Sequence, residues 1–405
     1  MKYAVLLCDG MADVPVPALG GKTPMEAADI PHMDTLFQTA LAGLATTVPE
    51  NYPAGSDVAN LSVFGYAPET YYTGRSPLEA VSMGLTMRDG EAALRCNLVT
   101  LGGEGPLASR IMEDYSAGEI STEEARALMA DVAAALDGPD WSFHGGISYR
   151  HCMLWMNGPL DIGLTPPHDI SGQPIVDHLP KGPGADIVQA LIAKSMDVLS
   201  NHPINLARVA AGKNPANAIW LWGQGSKPSL PLFTSLYGLR GAVISAVDLI
   251  KGIGLAAGLT SIDVPGATGN YHTNYRGKAD AALRVLREEA DFVYIHVEAP
   301  DECGHQGQVA QKRDSLSRID AELLAPLLQG LRNMGDFRLL IMPDHPTPLH
   351  LRTHTREPVP FLLYDSRREQ SVPGQAKTFS EATARATGLY LPKADRLMGQ
   401  LLERA

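Results

Sequence analysis

Six short apolar runs limit what this chain can fold into. They are K-Y-A-V-L-L-C at 2–8, A-I-W-L-W at 218–222, A-V-I-S-A-V at 242–247, F-V-Y-I-H-V at 292–297, F-R-L-L-I-M at 337–342 and V-P-F-L-L-Y at 359–364. Each is nearly continuous rather than alternating, the pattern of strands covered on both faces. Most stop abruptly, at Asp9, Gly223, Asp248, Glu298 and Pro343-Asp344-His345. Helical periodicity lies between them. It is clearest over about 308–334, where Leu316, Ile319, Leu323, Leu324, Leu327, Leu328 and Leu331 recur, and it returns over about 278–290. Strand–helix alternation predicts an α/β fold whose sheet is covered by helices.

The 405 residues exceed one ordinary core, at about 150 residues per domain. Residues from about 90 to 200 have a pattern of their own. Helices are predicted at 121–137 and 184–199, and the connectors are rich in Pro and Gly, as in L-P-K-G-P-G at 179–184. The expected organisation is a discontinuous catalytic domain, residues 1–88 and 200–405. A smaller α/β domain, residues 89–199, is inserted into it as a substrate-binding lid.

The formal net charge of −12 argues against a broad basic face for nucleic acid. A small anionic substrate needs only a few local Arg and Lys. Cys8, Cys96, Cys152 and Cys303 form no C-x-x-C pair and read as buried thiols in a reducing compartment, hence a cytoplasmic location. The apolar run after Lys2 ends at Asp9, too soon for a signal peptide. No run approaches the roughly 18 apolar residues of a membrane helix, so no membrane association is expected.

Ligands of open α/β sheets bind beyond the carboxyl ends of the strands. Asp9 stands there. So do Asp301 and His305, in E-A-P-D-E-C-G-H, and Asp344 with His345. His354 comes nine residues later, in R-T-H-T. Carboxylate oxygen and imidazole nitrogen together suit divalent metals. Adjacent Asp344 and His345 point apart in extended chain and can serve two ions. Asp177-His178 shows that such a pair also arises by chance, since no strand precedes it. Cys8 and Cys303 read as packed thiols despite their acidic neighbours. Ser56, in P-A-G-S-D-V-A-N-L-S, has two readings of equal weight. One is a helix N-cap. The other is a nucleophile at a helix start, where amides face a phosphate and a metal activates the oxygen. Gly21-Lys22-Thr23 is no phosphate-binding loop, because Val16 stands where that motif needs glycine.

Six segments carry a resemblance over nearly the whole chain: D-G-M at 9–11, G-K-T-P at 21–24, G-S-D-V-A-N-L-S at 55–62, P-D-E-C-G-H at 300–305, P-D-H-P-T-P at 343–348 and R-T-H-T at 352–355. Together they resemble the cofactor-independent phosphoglycerate mutases, specifically the archaeal-type branch within the alkaline phosphatase superfamily. The resemblance implies an alkaline-phosphatase-like sheet with an inserted domain. It implies that Ser56 becomes phosphoserine and, with Asp9, Asp344 and His345, ligates one ion. Asp301, His305 and His354 would hold the other. The ions are commonly Mn²⁺, with Mg²⁺, Co²⁺ or Zn²⁺ as substitutes, and no 2,3-bisphosphoglycerate is required. Substrate binding is expected of Arg75 in T-G-R-S-P-L-E-A, of Arg150 and His151 in S-Y-R-H-C, and of Lys278. Arg150 and Lys278 are also expected to assist catalysis. The chain departs from the archaeal pattern at 113–119, where E-D-Y-S-A-G-E replaces an Arg-rich D-R-R-A-G-R and two positive charges are missing. The implied function is interconversion of 3-phosphoglycerate and 2-phosphoglycerate, in glycolysis and gluconeogenesis. The alternatives are a homoserine kinase-like phosphotransferase of the same family and a metal-dependent phosphomonoesterase.

Overall fold

The computed structural model describes residues 1–368 and 377–403. Its strands, in chain order, are β1 (Lys2–Cys8), β2 (Leu41–Ala45), β3 (Glu91–Gly102), β4 (Ile111–Asp114), β5 (Trp141–Ile147), β6 (Arg150–Met156) and β7 (Ala218–Ser226), followed by β8 (Gly241–Ile244), β9 (Thr260–Ile262), β10 (Phe292–Val297), β11 (Phe337–Met342), β12 (Val359–Asp365) and β13 (Tyr390–Leu391). They form two sheets in two compact units, Met1–Tyr72 with Ser229–Ala405, and Thr73–Pro228. No described helix is long and apolar enough to cross a membrane.

The first unit holds an eight-stranded sheet in the order β13-β2-β12-β11-β1-β10-β8-β9. Its centre is parallel, as buried apolar runs require, and β12 turns antiparallel to both β11 and β2. Register aligns the ends of the central strands. Cys8 lies beside Val297 and Leu7 beside Met342, so β1, β10 and β11 end almost level. The residues just past those ends therefore emerge along one edge. The helix Tyr275–Glu288 and the region 309–332 bury Leu283, Leu286, Leu316, Leu323 and Leu327 against the sheet core. The long helix predicted at 308–334 is interrupted. It runs as Val309–Arg318, a wider π turn at Ile319–Leu324, and Ala325–Arg332. Pro326 has no N–H to continue an α-helical ladder. The π turn places buried Asp320 under the start of the helix Pro31–Phe37, where it accepts the backbone N–H groups of His32 at 3.1 Å and Met33 at 2.8 Å.

In the second unit β3 pairs antiparallel with β4, β6 and β7, and β6 carries β5. Alternation along β3 and β6 makes two different faces. Leu94, Cys96, Met153 and Trp155 join one core cluster with the helices Thr122–Leu136 and Ala185–Leu199. Ala93, Cys152 and Leu154 turn the other way and pack with Ala80 of the helix Arg75–Ser82.

This architecture moves the expected domain limits. The break falls at Tyr72/Thr73 and Pro228/Ser229, not at 88/89 and 199/200. The run at 218–222, read as a strand of the catalytic part, is β7, and Leu221 pairs with Cys96 of β3. An apolar run announces a buried strand but not which sheet will bury it.

Candidate active site

Asp9 is the first residue after β1. Asp301 and His305 lie on the helix Ala299–His305 after β10, one turn apart and so on one face. Asp344 and His345 come just after β11. The loops meet because residue 10 is glycine. Its φ is +62°, and a Cβ there would lie 2.6 Å from both the Asp301 Cα and the Thr347 Oγ1. Ser56 is the first residue of the helix Ser56–Val63. Gly55 is the N-cap, so the capping reading of Ser56 fails.

Side chains converge in two groups. His305 Nε2 lies 3.2 Å from Asp301 Oδ2 and 2.9 Å from His354 Nε2, which is itself 3.4 Å from Asp301 Oδ1. His345 Nε2 lies 3.1 Å from Ser56 Oγ, 3.3 Å from Asp344 Oδ2 and 3.7 Å from Asp9 Oδ1. Asp301, His305 and His354 form one set with metal-ligand spacing, and Asp9, Asp301 and His345 form another. Asp301 thus belongs to both. Asp344 was expected in the second set, but its carboxylate faces donors. Oδ1 accepts from the backbone N–H of Gly10 at 3.3 Å and of His345 at 2.9 Å, and Oδ2 accepts from Asn60 Nδ2 at 2.8 Å.

The donor set fits divalent cations by its chemistry. His305 Nδ1 faces the Arg352 carbonyl at 3.0 Å and His354 Nδ1 faces the Ala54 carbonyl at 3.2 Å. A carbonyl only accepts, so each Nδ1 carries a proton, and a neutral ring leaves the Nε2 lone pair for a metal. Thr347 works the same way on His345. Its hydroxyl donates to Asp301 Oδ1 at 2.5 Å and can accept from His345 Nδ1 at 3.3 Å. Three imidazole Nε2 atoms thus lie 3.2–3.7 Å from buried carboxylate oxygens. Asp9 Oδ1 is buried without a hydrogen-bond partner, which suits a ligand atom. Burial, and then the charges of Asp344, Asp301 and Glu298, push the Asp9 carboxyl well above its usual range. Burial also acts to raise Asp301, but hydrogen bonds from His305 and His354 outweigh it and hold that carboxyl well below the usual range. Burial opposes a charge on His305, yet Asp301 pushes its ring up to about 9.

A supporting layer escaped the sequence reading. Asn60 lies one turn after Ser56 and donates to the Ser56 carbonyl at 2.9 Å as well as to Asp344, while Tyr294 donates to its Oδ1 at 2.7 Å. His296 Nε2 sits 2.9 Å from Asp9 Oδ2 and is fully buried, which drives its pKa down to about 3. Lys312 donates to Asp13 at 2.8 Å and to the Thr347 carbonyl at 2.7 Å, tying together the loops after β1 and β11. The i+4 spacing of Ser56 and Asn60 was the one readable signal. A histidine or lysine inside an apolar pattern gave none.

The expected basic residues have different settings. Lys278 is not poised for substrate. It is fully buried on the helix Tyr275–Glu288 and donates to the His296 carbonyl at 2.7 Å. Arg150 and His151 do not act side by side, because neighbours on a strand face opposite ways. Arg150 pairs across from Asn97 and is exposed, whereas His151 pairs across from core Cys96 and is buried. Arg75 starts its helix and bonds Glu79 at 2.9 Å. Asp177-His178 falls on a short 3₁₀ turn and joins no metal-type group among the described residues.

A serine hydroxyl at a helix start, facing carboxylates and imidazoles at the ends of parallel strands, defines a centre of the metal-dependent phosphoryl-transfer class. The comparisons with known proteins agree and narrow it. A family model described as 2,3-bisphosphoglycerate-independent phosphoglycerate mutase matches residues 38–205. A probable 2,3-bisphosphoglycerate-independent phosphoglycerate mutase of Geobacter sulfurreducens is 51% identical over 100% of both chains. Its counterpart from Methanosarcina barkeri is 49% identical, again over 100% of both. Among solved structures, the PH0037 protein of Pyrococcus horikoshii matches with a TM-score of 0.81 and 28% identity, covering 100% of this chain and 98% of that one. This chain belongs to the 2,3-bisphosphoglycerate-independent phosphoglycerate mutase family.

Proposed function

We propose that the protein interconverts 3-phosphoglycerate and 2-phosphoglycerate without 2,3-bisphosphoglycerate, passing the phosphoryl group through Ser56. The observation that carries this reading is the Ser56 hydroxyl, 3.1 Å from His345 Nε2 beside both ligand groups. Asp9, Ser56, Asp344 and His345 would hold one divalent ion and Asp301, His305 and His354 the other, with Mn²⁺ the expected metal. Bound there, the ions would supply Lewis-acid charge that makes the serine oxygen nucleophilic and stabilises the phosphoryl oxygens. The Ser56 hydroxyl gives up its proton and its oxygen bonds to phosphorus as the substrate's O–P bond breaks, and the freed glycerate oxygen gains a proton. The other glycerate hydroxyl then attacks phosphorus, releases Ser56 and loses its proton. Asn60 fixes the Ser56 carbonyl and Asp344 throughout. Arg75 and Arg150 are the candidates for gripping the anionic substrate. The reading places the reaction in glycolysis and gluconeogenesis, in the cytoplasm.

Purified protein with Mn²⁺ should be given 3-phosphoglycerate, with ATP plus homoserine in a parallel reaction. Formation of 2-phosphoglycerate, its loss on chelation, and phosphate mapped to Ser56 in trapped enzyme are expected. Ser56→Ala should keep the fold and lose turnover. Phosphorylation of homoserine with no mutase activity would overturn the reading, as would normal rates in Ser56→Ala.

A further inference from the structure

His296, in F-V-Y-I-H-V, is a fully buried histidine that belongs to neither ligand group. The sheet explains where it points. β1, β10 and β8 are parallel neighbours, with Leu7 paired to His296 and Ile295 to Ile244. Side chains two residues apart along a strand share a face. Asp9, two residues after Leu7, therefore lies on the face that His296 presents. Ser245, one residue past Ile244, comes level with His296 on that same face. Ser245, His296 and Asp9 thus form a polar row across the ends of adjacent strands. Lys278 Nζ donates to the His296 carbonyl at 2.7 Å and so holds the strand end from which the ring projects.

The row has a direction. Ser245 Oγ accepts the Val247 N–H at 2.9 Å. It lies 3.2 Å from His296 Nδ1, nearer than the Val247 carbonyl at 3.4 Å. With the hydroxyl proton given to Nδ1, the ring proton sits on Nε2. Nε2 faces Asp9 Oδ2 at 2.9 Å, and a carboxylate that serves as a metal ligand can only accept. Both ends of the row therefore require the same tautomer. It is the opposite of that in His305 and His354, whose Nδ1 atoms face carbonyls. An Nε2 that carries a proton has no lone pair for a metal, so His296 touches a ligand without being one. Its effect falls on Asp9. There Oδ2 is engaged, whereas Oδ1 is buried without a hydrogen-bond partner, 3.7 Å from His345 Nε2.

We propose that His296 is a positioning residue, oriented by Ser245, that occupies Asp9 Oδ2 and so presents Oδ1 alone to the divalent ion of the Ser56 group. A carboxylate free on both oxygens can take two coordination positions on a metal. One held in this way takes a single position and leaves another for the Ser56 oxygen. The proposal rests on the metal part of the proposed function, not on which phosphorylated acid is bound.

Full-length protein should be titrated with Mn²⁺ while the free ion is counted by electron paramagnetic resonance. His305→Ala marks the ion of the other group by weakening it. His296→Leu should weaken the ion beside Asp9 by about 10–100-fold, as loss of a ligand-supporting group does, and leave the other ion unchanged. His296→Gln, whose amide can still donate to Asp9, should restore most of the affinity. Ser245→Ala, which keeps the ring but not its anchor, should fall between. In protein loaded with diamagnetic Zn²⁺, histidine ¹⁵N shifts should place the His296 proton on Nε2, the resonance being assigned by its loss in His296→Gln. The proposal is overturned if folded His296→Leu binds both ions as tightly as the parent. It is equally overturned if both ions weaken alike with no rescue by glutamine, or if the proton sits on Nδ1. Should His296→Leu fail to fold, Ser245→Ala and the tautomer decide the matter, and parent-like binding in Ser245→Ala with the proton on Nδ1 overturns it. A parent that takes up no divalent ion would overturn the metal reading itself, and this proposal with it, whatever the variants do.

Discussion

Lys312→Met tests how the loops of the site are held. Lys312 and Asp13 both have side chains at 0% exposure, 2.8 Å apart. Burial lowers the Lys312 pKa, against the pull of Asp13. Asp13 Oδ2 also accepts from the Leu349 N–H at 3.2 Å, and its Oδ1 accepts from Val14 at 2.8 Å. Methionine fills much of the lysine volume but leaves the Asp13 charge buried with no counter-ion. Removing one partner of such a pair costs about 3–5 kcal/mol. In Asp13→Asn/Lys312→Met no charge remains and an amide oxygen can still accept, so the two changes should couple by roughly 1–3 kcal/mol. The assay must report on the first unit, since Trp141, Trp155, Trp220 and Trp222 all lie in the second. Hydrogen exchange of peptides over β1 and β11, across a urea series, does so, with tryptophan emission as the internal control. Mn²⁺ affinity should fall with the stability, because these loops carry Asp9 and Asp344. A single variant within about 0.5 kcal/mol of the parent, the scatter of ordinary surface changes, would refute the reasoning. Strict additivity of the two changes would refute its electrostatic part.

Lys278 predicts a pH dependence. Burial lowers its pKa from 10.5 to about 8. The unfolded chain holds this proton to higher pH, so over that window it binds more protons than the native state. Stability should therefore rise between about pH 8 and 10.5, by roughly 3 kcal/mol from this group alone. The rise should be that much smaller in Lys278→Met, and equal slopes by chemical denaturation would contradict it. Asn60→Ala removes the donor shared by the Ser56 carbonyl and Asp344. It should weaken Mn²⁺ binding by about 10–100-fold, as loss of ligand-supporting groups does, which calorimetric titration would detect. Unchanged affinity would show that Asp344 needs no such support.

The sequence displayed the candidate ligands because chemistry concentrates such residues at strand ends. Asp9, Asp301 and Asp344 could be found by looking just past the end of each apolar run. It displayed the parallel centre of the main sheet for the same reason. It hid whatever depends on pairing. The run 218–222 has the composition of β10 or β11, and only its partner, β3, places it in the second unit. The two faces of β6 separate Arg150 from His151, although the residues are adjacent. Lys278 and Lys312 also misled. Lysine usually lies at the surface, and here both are wholly buried.

Those two lysines also bear on why the centre calls for cations. Asp9, Asp301 and Asp344 are 2%, 5% and 0% exposed. Three carboxylates cannot all stay charged in such a place unless positive charge accompanies them. Lys312 is engaged by Asp13 and the Thr347 carbonyl, and Lys278 by the His296 carbonyl. Burial keeps His296 neutral. The remaining way to balance the charge without a metal is to bind protons, and the structure favours this at two positions. Asp9 is driven well above the usual carboxyl range, and His305 is pushed up to about 9. Near neutral pH His305 would hold a proton that a divalent ion must displace, because a ligand must be deprotonated to bind, and the upward shift of Asp9 acts in the same direction. Proton binding and metal binding at this centre thus compete for the same lone pairs, Asp9 in one group and His305 in the other.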